Sequence, residues 1–159
     1  MNTKARILPP VCLSIAILEL LGGKLRMTQE FVGHKTVNND GHCYTIFRQI
    51  KNQKVTYPEG HITFIVRFKF ARLSHRANKL ASILPMLMIA GFPGFIQKLY
   101  AVNKENGYWQ GMYEWESMKH LEAYQKSFVF RMMNRRALEG TVQSQTFSNF
   151  YLARLIEPE

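Results

Sequence analysis

Residues 91–117, GFPGFIQKLYAVNKENGYWQGMYEWES, restrict the fold of this chain more than any other stretch. Two runs rich in β-branched and aromatic residues flank the turn-forming NKENG, where Asn106-Gly107 supplies the positive φ angles of a tight reversal. A helix start follows at once at Ser117. The hairpin lies inside a longer β-α-β-β-α-β pattern, which describes half of a small α+β barrel that completes itself by dimerising.

Upstream, HITFIVRFKF alternates, with Ile62, Phe64, Val66, Phe68 and Phe70 on one side and Thr63, Ile65, Arg67 and Lys69 on the other. Ser74 is placed to cap a helix over about 75–89, with Ala77, Leu80, Ala81 and Leu84 near one stripe. Pro85 lacks the amide hydrogen that an interior position needs, which predicts a kink or an early end. After the hairpin, Ser117 caps a second helix in which Leu121, Tyr124, Phe128 and Met132 recur at helical spacing. That helix is expected to reach about Leu138 and to stop at Gly140. Residues 141–156 read as the last strand, long enough to bend or to run past the sheet. The order is that of the ferredoxin-like split βαβ arrangement, an α+β fold.

Its sheet has two faces, and the helices cover one. Alternation directs Phe64, Val66, Phe68, Trp109, Tyr113 and Trp115 toward the helices. Ile65, Ile96, Tyr100 and Met112 are expected on the other face, interleaved with Arg67, Lys98, Gln110 and Glu114. That second face is too apolar to leave in water, and a second copy of the sheet is the economical cover, giving a homodimer. Arg67, Lys98 and Glu114 are then expected across adjacent strands as a charge cluster. It reads either as the polar end of an apolar ligand pocket or as cross-strand ion pairs that need no ligand.

Residues 1–60 read as an N-terminal helix and hairpin arm, and 61–159 as the main domain. The run Val11–Leu21 follows Lys4 and Arg6 as a signal peptide would, but it is shorter than a membrane span, carries Glu19 and lacks a clean cleavage site. A short helix opened by Pro9-Pro10 and closed by Gly22-Gly23 is expected instead. Residues 25–37 and 42–50 read as strands around Asn38-Asn39-Asp40-Gly41, and 51–60, polar and holding Pro58 and Gly60, as a linker.

The formal charge of +10 makes an anionic partner, nucleic acid or membrane surface, physically cheap. No nucleic-acid signature accompanies it, and Phe68 and Phe70 in the basic stretch from Arg67 to Lys79 belong to the core face, where bases cannot stack on them. Cys12 and Cys43 stand in unrelated contexts without ligand spacing, so reduced thiols in a cytoplasm and no metal site are expected. No nucleophile elbow, P-loop or dinucleotide-binding glycine pattern occurs. His120, on the first turn of the second helix, is positioned to act as a base only if it faces a cavity.

The hairpin and its following helix resemble the small YdhR-like proteins within the antibiotic-biosynthesis-monooxygenase-type dimeric α+β barrels. The residues that carry the resemblance are Gly94-Phe95, Lys98-Leu99-Tyr100, Gly111-Met112-Tyr113-Glu114-Trp115, Ala123-Tyr124 and Gly140-Thr141-Val142, over roughly residues 61–156. The resemblance implies a homodimer with a pocket between sheet and helices or within the shared barrel. Relatives in that wider group oxidise aromatic substrates without metal or flavin, and others degrade haem. The implied function is a protein for a small hydrophobic or aromatic molecule, as a cofactor-independent monooxygenase. Lys98, Arg67 and Glu114 are the catalytic candidates, with Tyr100, Met112, Tyr113 and Trp115 lining the ligand site. The alternative is a non-catalytic module for an anionic membrane or nucleic acid.

Overall fold

The structure is a computed structural model that describes residues 8–37, 41–71 and 74–157. Among the described residues five α-helices and seven strands follow one another as α1 (Pro9–Leu21), β1 (Leu25–Thr28), β2 (Lys35–Val37), β3 (Cys43–Asn52), β4 (Ile62–Phe68), α2 (His75–Ala81), α3 (Ile83–Ala90), β5 (Phe95–Val102), β6 (Trp109–Trp115), α4 (Met118–Gln125), α5 (Phe128–Arg136) and β7 (Gln143–Ser148). A short 3-10 helix, Leu152–Leu155, closes the described chain. The fold is α+β and ferredoxin-like. All strands join one antiparallel sheet in the order β1-β3-β5-β6-β4-β7, with β2 also paired to β3.

Within that sheet β5-β6-β4-β7 is the unit expected from the sequence, and β3 extends it by pairing Thr45–Lys51 with Gln97–Val102. Helix α1 starts with proline in its first turn, ends at Gly22, and buries Cys12 and Ala16. It docks against the end of α3 so closely that a Cβ on Gly91 would lie 1.9 Å from the Cys12 carbonyl oxygen. Only glycine permits that approach. Of the turn expected at Asn38-Asn39-Asp40-Gly41, the first three residues lie outside the described ones; the strands on either side do pair, Val37 with Cys43. The single strand expected over 25–37 is two short strands, because 29–34 leaves the sheet as a loop.

Both expected long helices are broken. The first divides at Ser82, three residues before Pro85. Proline has no N–H for the Ala81 carbonyl and its ring crowds that turn, so the break falls upstream of it. The second divides at Lys126, and the Ser127 hydroxyl accepts the Phe130 amide at 3.2 Å to start α5. The axis changes there, so Phe128, expected in the buried stripe, is half exposed and Val129 is buried in its place. Ser117 occupies the cap position of α4, but its Oγ lies 3.1 Å from His120 Nδ1 and caps no backbone amide. The last strand ends at Ser148, where the chain bends back toward the sheet.

Every residue of β5 and β6 is buried, so the central strands are covered on both faces. The helix-side core includes Phe64, Val66, Phe68, Tyr113 and Trp115. The opposite core holds Tyr44, Ile46, Ile65, Leu99, Met112 and Leu152, with Phe31, Leu155 and Ile156 packed on it. The chain's own 29–34 loop and C-terminal segment thus cover the face for which a second copy was expected. Its apolar content does not require a partner. Among the described residues no helix is long and apolar enough to cross a membrane.

Candidate functional site

Lys98 and Tyr100 were expected on the face away from the helices, and the structure places them on the helix face. Lys98 is the register partner of Tyr113, and paired residues share a side of the sheet. Burial on both sides of β5 erases the polar-apolar alternation from which a strand's phase is read. The expected charge cluster is therefore split. Arg67 and Glu114 stay on the second face, four register positions apart along β4 and β6, since Arg67 pairs with Gln110 and Thr63 with Glu114.

Lys98, Tyr100 and Tyr113 line an apolar cavity between sheet and helices, together with Phe68, Phe70, Trp109, Met132 and Met133. Pro85 and Ile89 of α3 and Val129 and Arg136 of α5 complete the wall on the helix side. The cavity proper measures about 40 Å³, and the empty space of the hollow and its mouth, open solvent included, comes to about 540 Å³. The inner part has room for about three waters at most. The Met132 and Met133 side chains are unbranched and adapt readily to a larger guest.

Gly111 makes part of this room. It lies between Trp109 and Tyr113 on the same side of β6, where a Cβ would sit 2.9 Å from the Tyr113 ring. Trp109 is fixed by its Nε1–H donating to His75 Nδ1 at 3.1 Å and by edge contacts with Phe47 and Phe70. Tyr113 accepts a hydrogen bond from the Tyr124 hydroxyl at 3.2 Å and rests its own against Met133 Sδ at 3.9 Å.

Lys98 is 3% exposed, and its Nζ lies 3.9 Å from the Tyr100 ring centroid and 4.4 Å from that of Tyr113. Among the described residues no carboxylate pairs with it. Two ring faces favour an ammonium by up to about 2 kcal/mol each when desolvated. Removing that ion from water costs several kcal/mol, and a guanidinium nearby raises the cost. Desolvation is the larger effect. Burial, and then the Arg48 charge, hold Lys98 well below the ordinary lysine range. Arg48 is itself lowered by burial; it donates from Nη1 to Ser82 Oγ at 2.7 Å and lies 5.9 Å from the Tyr100 ring. Tyr100 is pushed well above the usual phenol range by burial and then by Tyr113, and its buried Oη has no hydrogen-bond partner.

The second face contains a polar network of the opposite kind. Glu114, fully buried, accepts hydrogen bonds from Tyr57 Oη at 2.5 Å, Gln97 Nε2 at 2.6 Å and the Leu152 amide at 2.7 Å. Arg67 Nε donates to Gln110 Oε1 at 2.8 Å, and Gln110 Nε2 donates to Thr36 Oγ1 at 3.1 Å. Met112 belongs to the apolar core of this face and does not reach the cavity. Trp115 is on the helix face but deeper, stacked on Tyr124 at 5.2 Å and away from the lining. His120 contacts Ser117 and lies 3.9 Å from Glu116, against Gly94 and outside the cavity.

Sequence reasoning missed Trp109, Met132, Met133 and Arg136 as residues that line the cavity. Alternation in β6 did put Trp109 on the face of Tyr113, so its side was legible while the hollow beneath it was not. Fold and cavity together define an α+β ferredoxin-like protein with a hollow between sheet and helices.

No family model matches the chain, and no curated protein matches it. Solved structures do. A monooxygenase-like protein from Listeria innocua is similar with a TM-score of 0.55 and 10% identity, covering 85% of this chain and 86% of that one. An uncharacterized ferredoxin-fold protein related to antibiotic biosynthesis monooxygenases, from Listeria monocytogenes, is similar with a TM-score of 0.54 and 8% identity, covering 86% and 88%. A third structure, from Fusobacterium nucleatum, reaches 0.48 at 7% identity and covers 67% of this chain; the match spans 49% of that protein. At these identities the likeness is one of fold.

Proposed function

We propose that the cavity binds a small hydrophobic or aromatic molecule and that the protein is a cofactor-independent monooxygenase of activated carbon acids. The observation that carries this reading is the amine of Lys98, held without a carboxylate in an apolar cavity between two tyrosine rings. A lysine whose hold on its proton is weakened by burial is available as a base more readily than an ordinary lysine, and it becomes a cation as it takes the proton. The similar Listeria structures, described as monooxygenase-like or related to monooxygenases, support the choice of reaction.

The chemistry balances on the substrate and O₂ alone. Lys98 takes a proton from a methylene activated by an adjacent phenol or ketone, and its ammonium then pairs with the enolate or phenolate oxygen. The carbanion transfers electrons to O₂ and forms a C–O bond. Loss of water from the resulting peroxide leaves a carbonyl where the methylene stood. One oxygen atom enters the product and the other departs as water. Tyr100 Oη, buried without a partner, is available to donate to the substrate oxygen.

The experiment is O₂ uptake with a panel of small phenols and aryl ketones bearing activated methylenes, on the wild type and Lys98→Met. The expected loss in the variant is at least about a hundredfold, the contribution of a positioned base. Equal uptake by both proteins overturns the assignment of Lys98. If no member of the panel quenches Trp109 fluorescence, the cavity is not the binding site.

A further inference from the structure

We propose that Lys98 is also a nucleophile, and that the cavity captures small apolar aldehydes or ketones as a Schiff base on its Nζ. The inference rests on the reading of the cavity as a small-molecule site, but it concerns bond formation to nitrogen and needs no oxygen.

Imine formation makes three demands on a lysine. The amine must be uncharged, because an ammonium has no lone pair to attack with. It must be reachable by a carbonyl carbon yet shielded from bulk water, which would hydrolyse the product. It must also lack a carboxylate that would hold it as an ion. The geometry of Lys98 suits all three: its side chain lines the cavity, its neighbours are aromatic faces, and burial with Arg48 rather than an acid nearby shifts it toward the uncharged form. Lys24, Lys51 and Lys126, by contrast, are paired with glutamates, and Lys79, though also lowered by burial, does not line the cavity.

The step is a simple condensation. Nζ adds to the carbonyl carbon, a proton moves from nitrogen to the former carbonyl oxygen, and the carbinolamine expels water to leave a C=N bond. No oxidant or reductant takes part. Tyr100 Oη, unpartnered and buried beside the amine, is the donor available to the departing oxygen. The apolar lining by Phe68, Phe70, Trp109 and the two methionines selects an aromatic or aliphatic body without charge.

The test incubates the whole protein with benzaldehyde and cyanoborohydride between pH 6.5 and 9, followed by intact mass and peptide mapping. A single benzyl adduct on Lys98 is expected to form first, at least about tenfold faster than on any exposed lysine at pH 7, because ordinary lysines are almost wholly protonated there. Lowering the pH by one unit should slow the exposed lysines by about tenfold and Lys98 much less. Lys98→Met should lose the early adduct and keep the slow ones. Labelling spread over surface lysines with Lys98 untouched overturns the proposal. Benzyl alcohol, which has no carbonyl, separates the two readings by saturation-transfer NMR. If it binds while Lys98 stays unlabelled, the imine is refuted and the cavity reading survives. If it does not bind and no adduct forms, both fall.

Discussion

Lys98 and Glu114 lie on adjacent strands, one register position apart, and their side chains enter opposite faces of the same sheet. Both are buried and both are of ionisable type. Glu114 receives three hydrogen bonds from three separate segments of the chain, whereas Lys98 meets only ring faces. A buried ionisable group must be paired, hydrogen-bonded or uncharged. The second face surrounds its carboxyl group with donors, which tie Tyr57 and the C-terminal segment to the sheet. The helix face sets its amine against ring faces and a cavity, and perturbed groups in such a setting cluster at functional sites.

The contrast breaks most sharply by removing Glu114. Glu114→Ala orphans the Leu152 amide and the Tyr57 hydroxyl, takes one of two acceptors from Gln97 Nε2, and removes a tie of the C-terminal segment to the sheet. The expected cost is about 2–5 kcal/mol, since each buried donor left without an acceptor costs about 1–3 kcal/mol. Urea denaturation measures it. A loss under about 1 kcal/mol would show that Glu114 is not the clasp of that face. Lys98→Met should do the reverse on the same instrument, keeping or raising stability, because a thioether fills the space without the desolvation of an amine.

A second contrast appears in the dependence of stability on pH. Lys98 has its folded pKa depressed by burial, so between that value and the ordinary lysine range the unfolded chain binds the extra proton. Stability must therefore rise with pH through this window, by up to about 1.4 kcal/mol per unit for one group. Tyr100 and Tyr124 are shifted upward by burial, so above about pH 10 the unfolded chain ionises its phenols first and stability falls. Lys98→Met should flatten the rising limb and leave the falling one. A rising limb that persists unchanged in the variant would mean that Lys98 is charged in the folded protein.

How much of this was legible in the sequence differs between the two faces. The β-α-β-β-α-β order, the hairpin at Asn106-Gly107 and the inward side of Phe64, Tyr113 and Trp115 follow from alternation and turn chemistry. The phase of β5 does not, since Phe95–Val102 is buried on both sides and offers no polar side to read. Lys98 and Tyr100 were misplaced for that reason. The cavity was illegible for another: it depends on the missing side chain of Gly111 and on where two broken helices bring Pro85, Met132 and Met133. Helix breaks at Ser82 and Lys126 set those positions, and propensity marks only the first, through Pro85. The Glu114 clasp joins residues 57, 97, 114 and 152, a juxtaposition with no periodic trace along the chain.

The smallest effect is the most discriminating one for the cavity. Tyr100→Phe deletes a buried hydroxyl that has no partner, so the folded protein should gain up to about 1 kcal/mol from the relieved desolvation. If that hydroxyl serves a ligand, the variant must lose affinity for guests that carry an oxygen acceptor and for no others. A phenol should bind about five- to tenfold more weakly, the worth of one hydrogen bond, while toluene should bind both proteins alike. Titration of Trp109 fluorescence with each compound compares the two directly. Equal weakening of phenol and toluene would mean that Tyr100 shapes the wall without donating to the guest. The unsatisfied hydroxyl and the buried amine of the helix face would then be separate features rather than two halves of one site.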